Sequence, residues 1–258
     1  MSFDDGFPAA WQDAEVFWST IAYLRCWWAT DGINVKAIQR AGAMTPELLR
    51  EIAKEYKVNR GIPRADVVDI GDDDNDCDDD DYHRDPVARD LAALLNRDRG
   101  DWPVGLVERA DRCCRILRIA QASKLFYRDQ ISAVTKFMWF LKPEGWTMFD
   151  RYAANGLGVD SRLPALQRMQ AFYGALAERG FEEVCARMQK RIDDSAFKGL
   201  PAGRILDTLL MARGDRGGDA ETVARLKDFL SLLPLDTGGQ LVNLAWALQR
   251  QFGNEVLR

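Results

Sequence analysis

Along most of the chain apolar residues recur at the three-to-four-residue spacing of one helical face, and no stretch sustains the strict alternation of a half-buried strand. Residues 11–29 are apolar on nearly all sides, as in a buried helix. At Thr45-Pro46-Glu47-Leu48 the threonine can supply an N-cap oxygen and the proline suits the first helical position. Leu48, Leu49, Ile52 and Tyr56 then keep helical spacing to about residue 55. Further helices are predicted at 86–95, 104–122, 131–141, 151–157, 164–179, 181–192, 203–212, 220–233 and 239–252. The class expected is all-α, without an internal repeat. A chain of 258 residues can bury its own core. The expected arrangement is one catalytic unit with two helical lobes and a cleft between them: residues 86–141 as a central lobe, residues 1–65 with 150–258 as the second.

Charge changes this picture in one place. The chain carries 35 basic and 40 acidic residues, a net −5. Eight of the acidic residues are aspartates within residues 72–81, so the remainder has 32 acidic against 35 basic residues, a net +3. A negative total would ordinarily argue against nucleic acid as a partner, but here one short tract sets the sign. Residues 66–85 are expected to be an acidic, solvated and disordered loop. A calcium site fits poorly, because the glycine and glutamate spacing of an EF-hand is missing. Shielding of a basic cleft and contact with a partner are the other readings of the tract.

The single histidine, His83, argues against His-rich zinc sites, HExxH helices and most His-based triads. It follows the acidic tract and is read as an exposed loop residue. The five cysteines, Cys26, Cys77, Cys113, Cys114 and Cys185, form no C-x-x-C and suit a reduced intracellular protein. No cofactor or metal is expected. The acidic start lacks the features of a secretory signal, and no apolar run is long enough to span a membrane, so the expected location is the cytoplasm.

Residues 128–157, RDQISAVTKFMWFLKPEGWTMFDRYAANGL, carry the chemistry. Lys136 lies in a very apolar helix, where partial desolvation lowers an amine's pKa and frees it as a nucleophile. The helix must stop before Pro143. A short crossing through Trp146-Thr147-Met148-Phe149 then delivers Asp150 to the mouth of the next helix. An N-cap aspartate is held as a carboxylate by backbone N–H groups and the helix dipole. The pair can therefore face each other across a cleft. The structural alternatives are ordinary: an aspartate that only caps, a lysine that snorkels to solvent, and tryptophans that only fill the core.

The pattern T-K-F-x-x-F-x-x-P-x-x-W-x-x-F-D-R at 135–151 resembles the catalytic segment of helix-hairpin-helix (HhH-GPD) DNA glycosylases. It is most similar to a diverged bacterial branch of 8-oxoguanine-glycosylase-like proteins. By this resemblance Lys136 takes the lysine position of bifunctional members and Asp150 that of the shared catalytic aspartate. About thirty residues carry the resemblance. Residues 129–135 hold no glycine where the family's hairpin has L-P-G-[VI]-G, the Lys-to-Asp spacing of fourteen is short, and no iron–sulfur module follows.

The implied activity is excision of a damaged or modified base from double-stranded DNA, in base-excision repair or in defence against phage with modified DNA, by a monomer. Strand cleavage at the abasic site would accompany it if Lys136 forms a Schiff base. The base pocket is expected to draw on Tyr23, Trp27, Trp28, Trp139 and Trp146. Phosphate contacts are expected from Lys124, Arg128, Lys142 and Arg151. The alternative from a different class is a non-catalytic all-α nucleic-acid-binding or interaction protein on the same scaffold.

Overall fold

A computed structural model describes residues 7–63, 85–97, 102–127, 129–214 and 218–255. The acidic tract, Cys77, His83 and Arg128 lie outside the described residues, and with them the loop, shielding and phosphate-contact expectations placed there. The described residues contain helices and turns and no strand. No helix among them is long and apolar enough to cross a membrane.

The apolar stretch at 11–29 is not one helix. It opens with a 3₁₀ turn at Trp11–Asp13, continues as α1 (Glu15–Cys26), and widens into a π-helical turn at Trp27–Asp31 that runs directly into α2 (Gly32–Ala41). The wide turn changes the facing of the residues beyond it. Trp28 is left largely exposed while Asp31 is carried fully into the interior.

Next comes α3 (Pro46–Glu55), where the Thr45 side chain accepts a hydrogen bond from the Leu48 N–H and Pro46 occupies the first turn. Beyond the first undescribed segment lie α4 (Pro86–Arg97) and α5 (Leu106–Ala122). Arg50 of α3 links Pro63 to Asp85, donating to the Pro63 carbonyl at 2.7 Å and to the Asp85 carboxylate, which itself caps α4 through the Ala88 N–H. At the end of α5 Lys124 takes a left-handed conformation (φ 57°), so the turn toward α6 (Ile131–Leu141) is made without glycine.

The second half contains α7 (Arg151–Gly156), α8 (Ala165–Glu178), α9 (Phe181–Asp193), α10 (Ala202–Arg213), α11 (Ala220–Ser231) and α12 (Leu235–Phe252). The last begins four residues before its predicted start, because Pro234 opens the helix and Gly238 and Gly239 are absorbed into it.

The core forms around α1, which packs against α10, α11 and α12, while α5 packs against α6 and α8. Two close approaches fix α10. A Cβ on Gly156 would stand 2.0 Å from the Leu210 carbonyl oxygen, so α7 and α10 touch backbone to backbone. A Cβ on Gly203 would stand 2.3 Å from the Trp146 carbonyl, which seats the start of α10 against the crossing that leads to Asp150.

Candidate active site

Ten of the eleven residues of α6 are buried, and Lys136 is among them at 5% exposure. The crossing from α6 to α7 is bonded back onto α6 at Phe149. Its N–H donates to Thr135 Oγ1 at 3.2 Å. Its carbonyl accepts from Ser132 Oγ at 3.2 Å and from Lys136 Nζ at 3.3 Å. Lys136 Nζ also donates to Ser132 Oγ at 2.7 Å and lies 5.7 Å from the centroid of the Tyr56 ring. The residue after Phe149 is Asp150, which caps α7 by accepting from the Tyr152 N–H at 2.8 Å. Thus the local sequence that buries Lys136 also fixes the backbone next to Asp150.

Lys136 and Asp150 line one cavity of about 280 Å³. Apart from Met148, its remaining wall comes from residues far away in sequence. Arg204 and Asp207 enter from α10, Tyr56 from the end of α3, Cys26 and Thr30 from around the π-helical turn, and Met148 and Met211 supply apolar surface. Glu55 and Lys57 stand at the exposed rim.

Behind the cavity lies a buried polar cluster. Asp31 accepts from the hydroxyls of Tyr56 and Tyr23, the latter at 3.3 Å, and faces Arg204 Nε at 3.5 Å. Arg204 pairs with Asp207 Oδ2 and donates to the Tyr56 hydroxyl at 3.4 Å. Its guanidinium lies 5.5 Å from the ring centroids of both Tyr23 and Trp139.

Burial shapes the titration of this cluster. It pushes the Asp207 carboxyl up to about 6, with Asp150 and Asp31 adding to the rise and Arg204 and Lys136 opposing it. Burial alone would lower the Arg204 guanidinium, but Asp207, Tyr56 and Asp31 hold it well above its ordinary value. Burial raises the Tyr23 and Tyr56 phenols well above theirs, Asp31 adding to both, and it raises the Cys26 thiol. Cys26 is therefore an unactivated thiol. Among the described residues no group of three or more His, Cys, Asp or Glu side chains is arranged to hold a metal ion.

The aromatic wall differs from the one expected. Tyr23 and Trp139 are fully buried and both pack against the Arg204 guanidinium without lining the cavity. Trp146 is also fully buried; it packs on Trp102 and Tyr173, takes Arg109 over its ring and donates to the Lys142 carbonyl. Trp27 and Trp28 border a second cavity, of about 310 Å³, with Lys36, Phe197 and Lys198. None of the five lines the cavity that holds Lys136 and Asp150, because their ring faces are taken by packing partners or turned away by the π-helical turn. The aromatic residue that does line it is Tyr56.

Of the expected phosphate contacts, Lys124 is exposed beyond α5 and Lys142 is half-buried at the end of α6. Arg151 is exposed beside Asp150, its guanidinium 4.7 Å from the Tyr152 ring centroid.

Asp31, Tyr56, Arg204 and Asp207 escape a reading of the sequence as site residues. One signal is present for two of them: an arginine and an aspartate three apart inside the apolar run of α10. No known protein family, curated protein or solved structure matches the chain.

Proposed function

We propose that the chain is a DNA glycosylase that takes a damaged or modified base out of duplex DNA and hydrolyses its N-glycosidic bond to leave an abasic site. The observation that carries this reading is the shared cavity. A lysine and an N-cap aspartate from consecutive helices line it together, and their crossing is fixed by hydrogen bonds from α6. As the bond from the base to C1′ breaks, the sugar gains oxocarbenium character. The Asp150 carboxylate stabilises that charge and orients the nucleophile.

With water as nucleophile, its oxygen bonds to C1′, the glycosidic electron pair leaves with the base nitrogen, and a proton passes to the base. With Lys136 as nucleophile, the neutral Nζ bonds to C1′ instead and collapses to a Schiff base, which permits strand cleavage. In this reading the helices divide into two lobes about the cleft. The chain works as a monomer in the cytoplasm without a cofactor, and Lys124, Arg128, Lys142 and Arg151 grip phosphates around the extruded nucleotide. Excision serves repair or defence against phage carrying modified DNA.

A panel of duplex oligonucleotides bearing oxidised, alkylated, deaminated and hypermodified bases tests the reading. Base release by the wild type that vanishes in Asp150→Asn supports it. Silence on every duplex, with binding intact, refutes it and leaves a nucleic-acid-binding protein. Borohydride trapping separates the two nucleophiles: a trapped adduct that persists in Lys136→Ala removes the lysine from that role.

A further inference from the structure

A fully buried residue of the cavity wall, Asp207, carries a polar atom with no hydrogen-bond partner. Asp207 is fully buried yet lines the cavity, and only one of its two carboxylate oxygens is engaged, Oδ2 by Arg204. Oδ1 makes no hydrogen bond. Leaving a buried acceptor unmade is unfavourable, and more so for a charged group. Arg204 is already committed elsewhere, since its guanidinium is shared with Asp31 and Tyr56 and packs against the rings of Tyr23 and Trp139. The unmet acceptor is therefore left for a donor that is not part of this cluster.

The rest of the cavity defines what kind of ligand reaches Oδ1. Tyr56, Met148 and Met211 give aromatic and apolar walls suited to a flat ring. Asp150 is partly exposed, whereas Lys136 and Asp207 are buried, with Asp207 the more deeply. A nucleotide whose sugar meets Asp150 thus presents the far edge of its base to Asp207. A carboxylate oxygen there accepts from an N–H and repels a carbonyl oxygen. We propose that Asp207 is a specificity-determining residue that selects bases carrying an exocyclic amino group, of the adenine, cytosine or guanine type, against bases with only carbonyl oxygens on that edge. This inference rests on the glycosylase reading for its substrate and deepens it.

Binding of small N-methylated bases tests the inference without requiring catalysis. The methyl group stands where the sugar attaches, so the amino group carries the only N–H groups in the probe. The pairs are 9-methyladenine against 9-methylpurine, and 1-methylcytosine against 1-methyl-2-pyrimidinone, titrated into the full chain and followed by calorimetry or NMR. The wild type is expected to bind each amino-bearing member roughly tenfold more tightly or better, as for one hydrogen bond to a charged acceptor. In Asp207→Leu the preference should fall to about threefold or less, on the same scale.

Equal affinities within both pairs in the wild type, or a preference unchanged in a folded Asp207→Leu protein, overturn the inference. If that variant does not fold, the wild-type comparison alone decides. The outcomes stay separable from the activity. Excision from the oligonucleotide panel without amino selection leaves the glycosylase standing and sinks the role of Asp207. Amino selection with a silent panel does the reverse.

Discussion

Replacing Asp207 by asparagine should change how stability depends on pH, in a window set by the buried carboxyl. In the folded protein this acid titrates at about 6 against an ordinary 3.8, chiefly through burial, with Arg204 and Lys136 opposing the rise and Asp150 and Asp31 adding to it. A raised acid binds its proton more tightly in the folded state than in the unfolded one. Its contribution to stability is therefore fully present below about pH 4 and is lost as the pH rises through about 6. The displacement spans roughly two pH units at about 1.4 kcal/mol each, so the wild type should lose about 3 kcal/mol from this residue across that window. Asparagine has no such proton. Asp160 and Asp219, exposed carboxylates held low by hydrogen bonds to Arg162 and Thr222, push stability the opposite way in both proteins and cancel in the comparison. Urea unfolding followed by tryptophan fluorescence, at pH values from about 4.5 to 7.5, gives the stability of each protein. The wild type minus the variant should decline with rising pH. A flat difference, or one that grows with pH, would mean that Arg204 keeps Asp207 ionised throughout and that pairing, not burial, governs the cluster.

Arg204→Met leaves Asp31 and Asp207 without their buried cation and should cost about 3–5 kcal/mol in urea unfolding. A loss under about 1 kcal/mol would show that the cluster is not held by this residue. Gly156→Ala puts a methyl group into the Leu210 carbonyl. It should destabilise by about 1–3 kcal/mol and, by moving α10 away from α7, weaken base release more than duplex binding. Ser132→Ala removes an acceptor of Lys136 and a donor to Phe149. A stability loss of about 1 kcal/mol is expected, together with a larger fractional loss of borohydride trapping, which a purely structural serine would not produce. Cys113 and Cys185 are buried, and burial pushes the Cys185 thiol up to about 12 and Cys113 higher still. Both should resist thiol reagents in the folded protein at pH 8 and react only in urea.

How much of this was legible in the chain depended on sequence distance. The proximity of Lys136 and Asp150 could be read because every device that creates it lies within residues 132–150. These are an apolar helix, a proline that ends it, a short crossing and an N-cap. The α3 cap at Thr45 was legible for the same reason. The break at Trp27–Asp31 was not, because a π-helical turn inserts into a helix without any change in apolar pattern, and its effect is to redirect Asp31 inward and Trp28 outward. That single turn explains why Trp27 and Trp28 do not line the cavity, while Asp31 at its end supports the cluster behind it.

Asp31 and Arg204 lie 173 positions apart, and only tertiary packing brings them together. The readable trace of their meeting was the Arg–Asp pair inside the apolar run of α10. Its physical meaning is general: a hydrophobic helix carries two opposite charges one turn apart at the expense of their hydration, so they must be satisfied by one another or by something outside the helix. In α10 the pair satisfies itself only in part. The guanidinium turns to Asp31, and one carboxylate oxygen is left without a hydrogen bond. This unmet demand favours a ligand donor over further packing, which is the basis on which the proposed reading assigns substrate choice to the second carboxylate rather than to the neighbouring tryptophans.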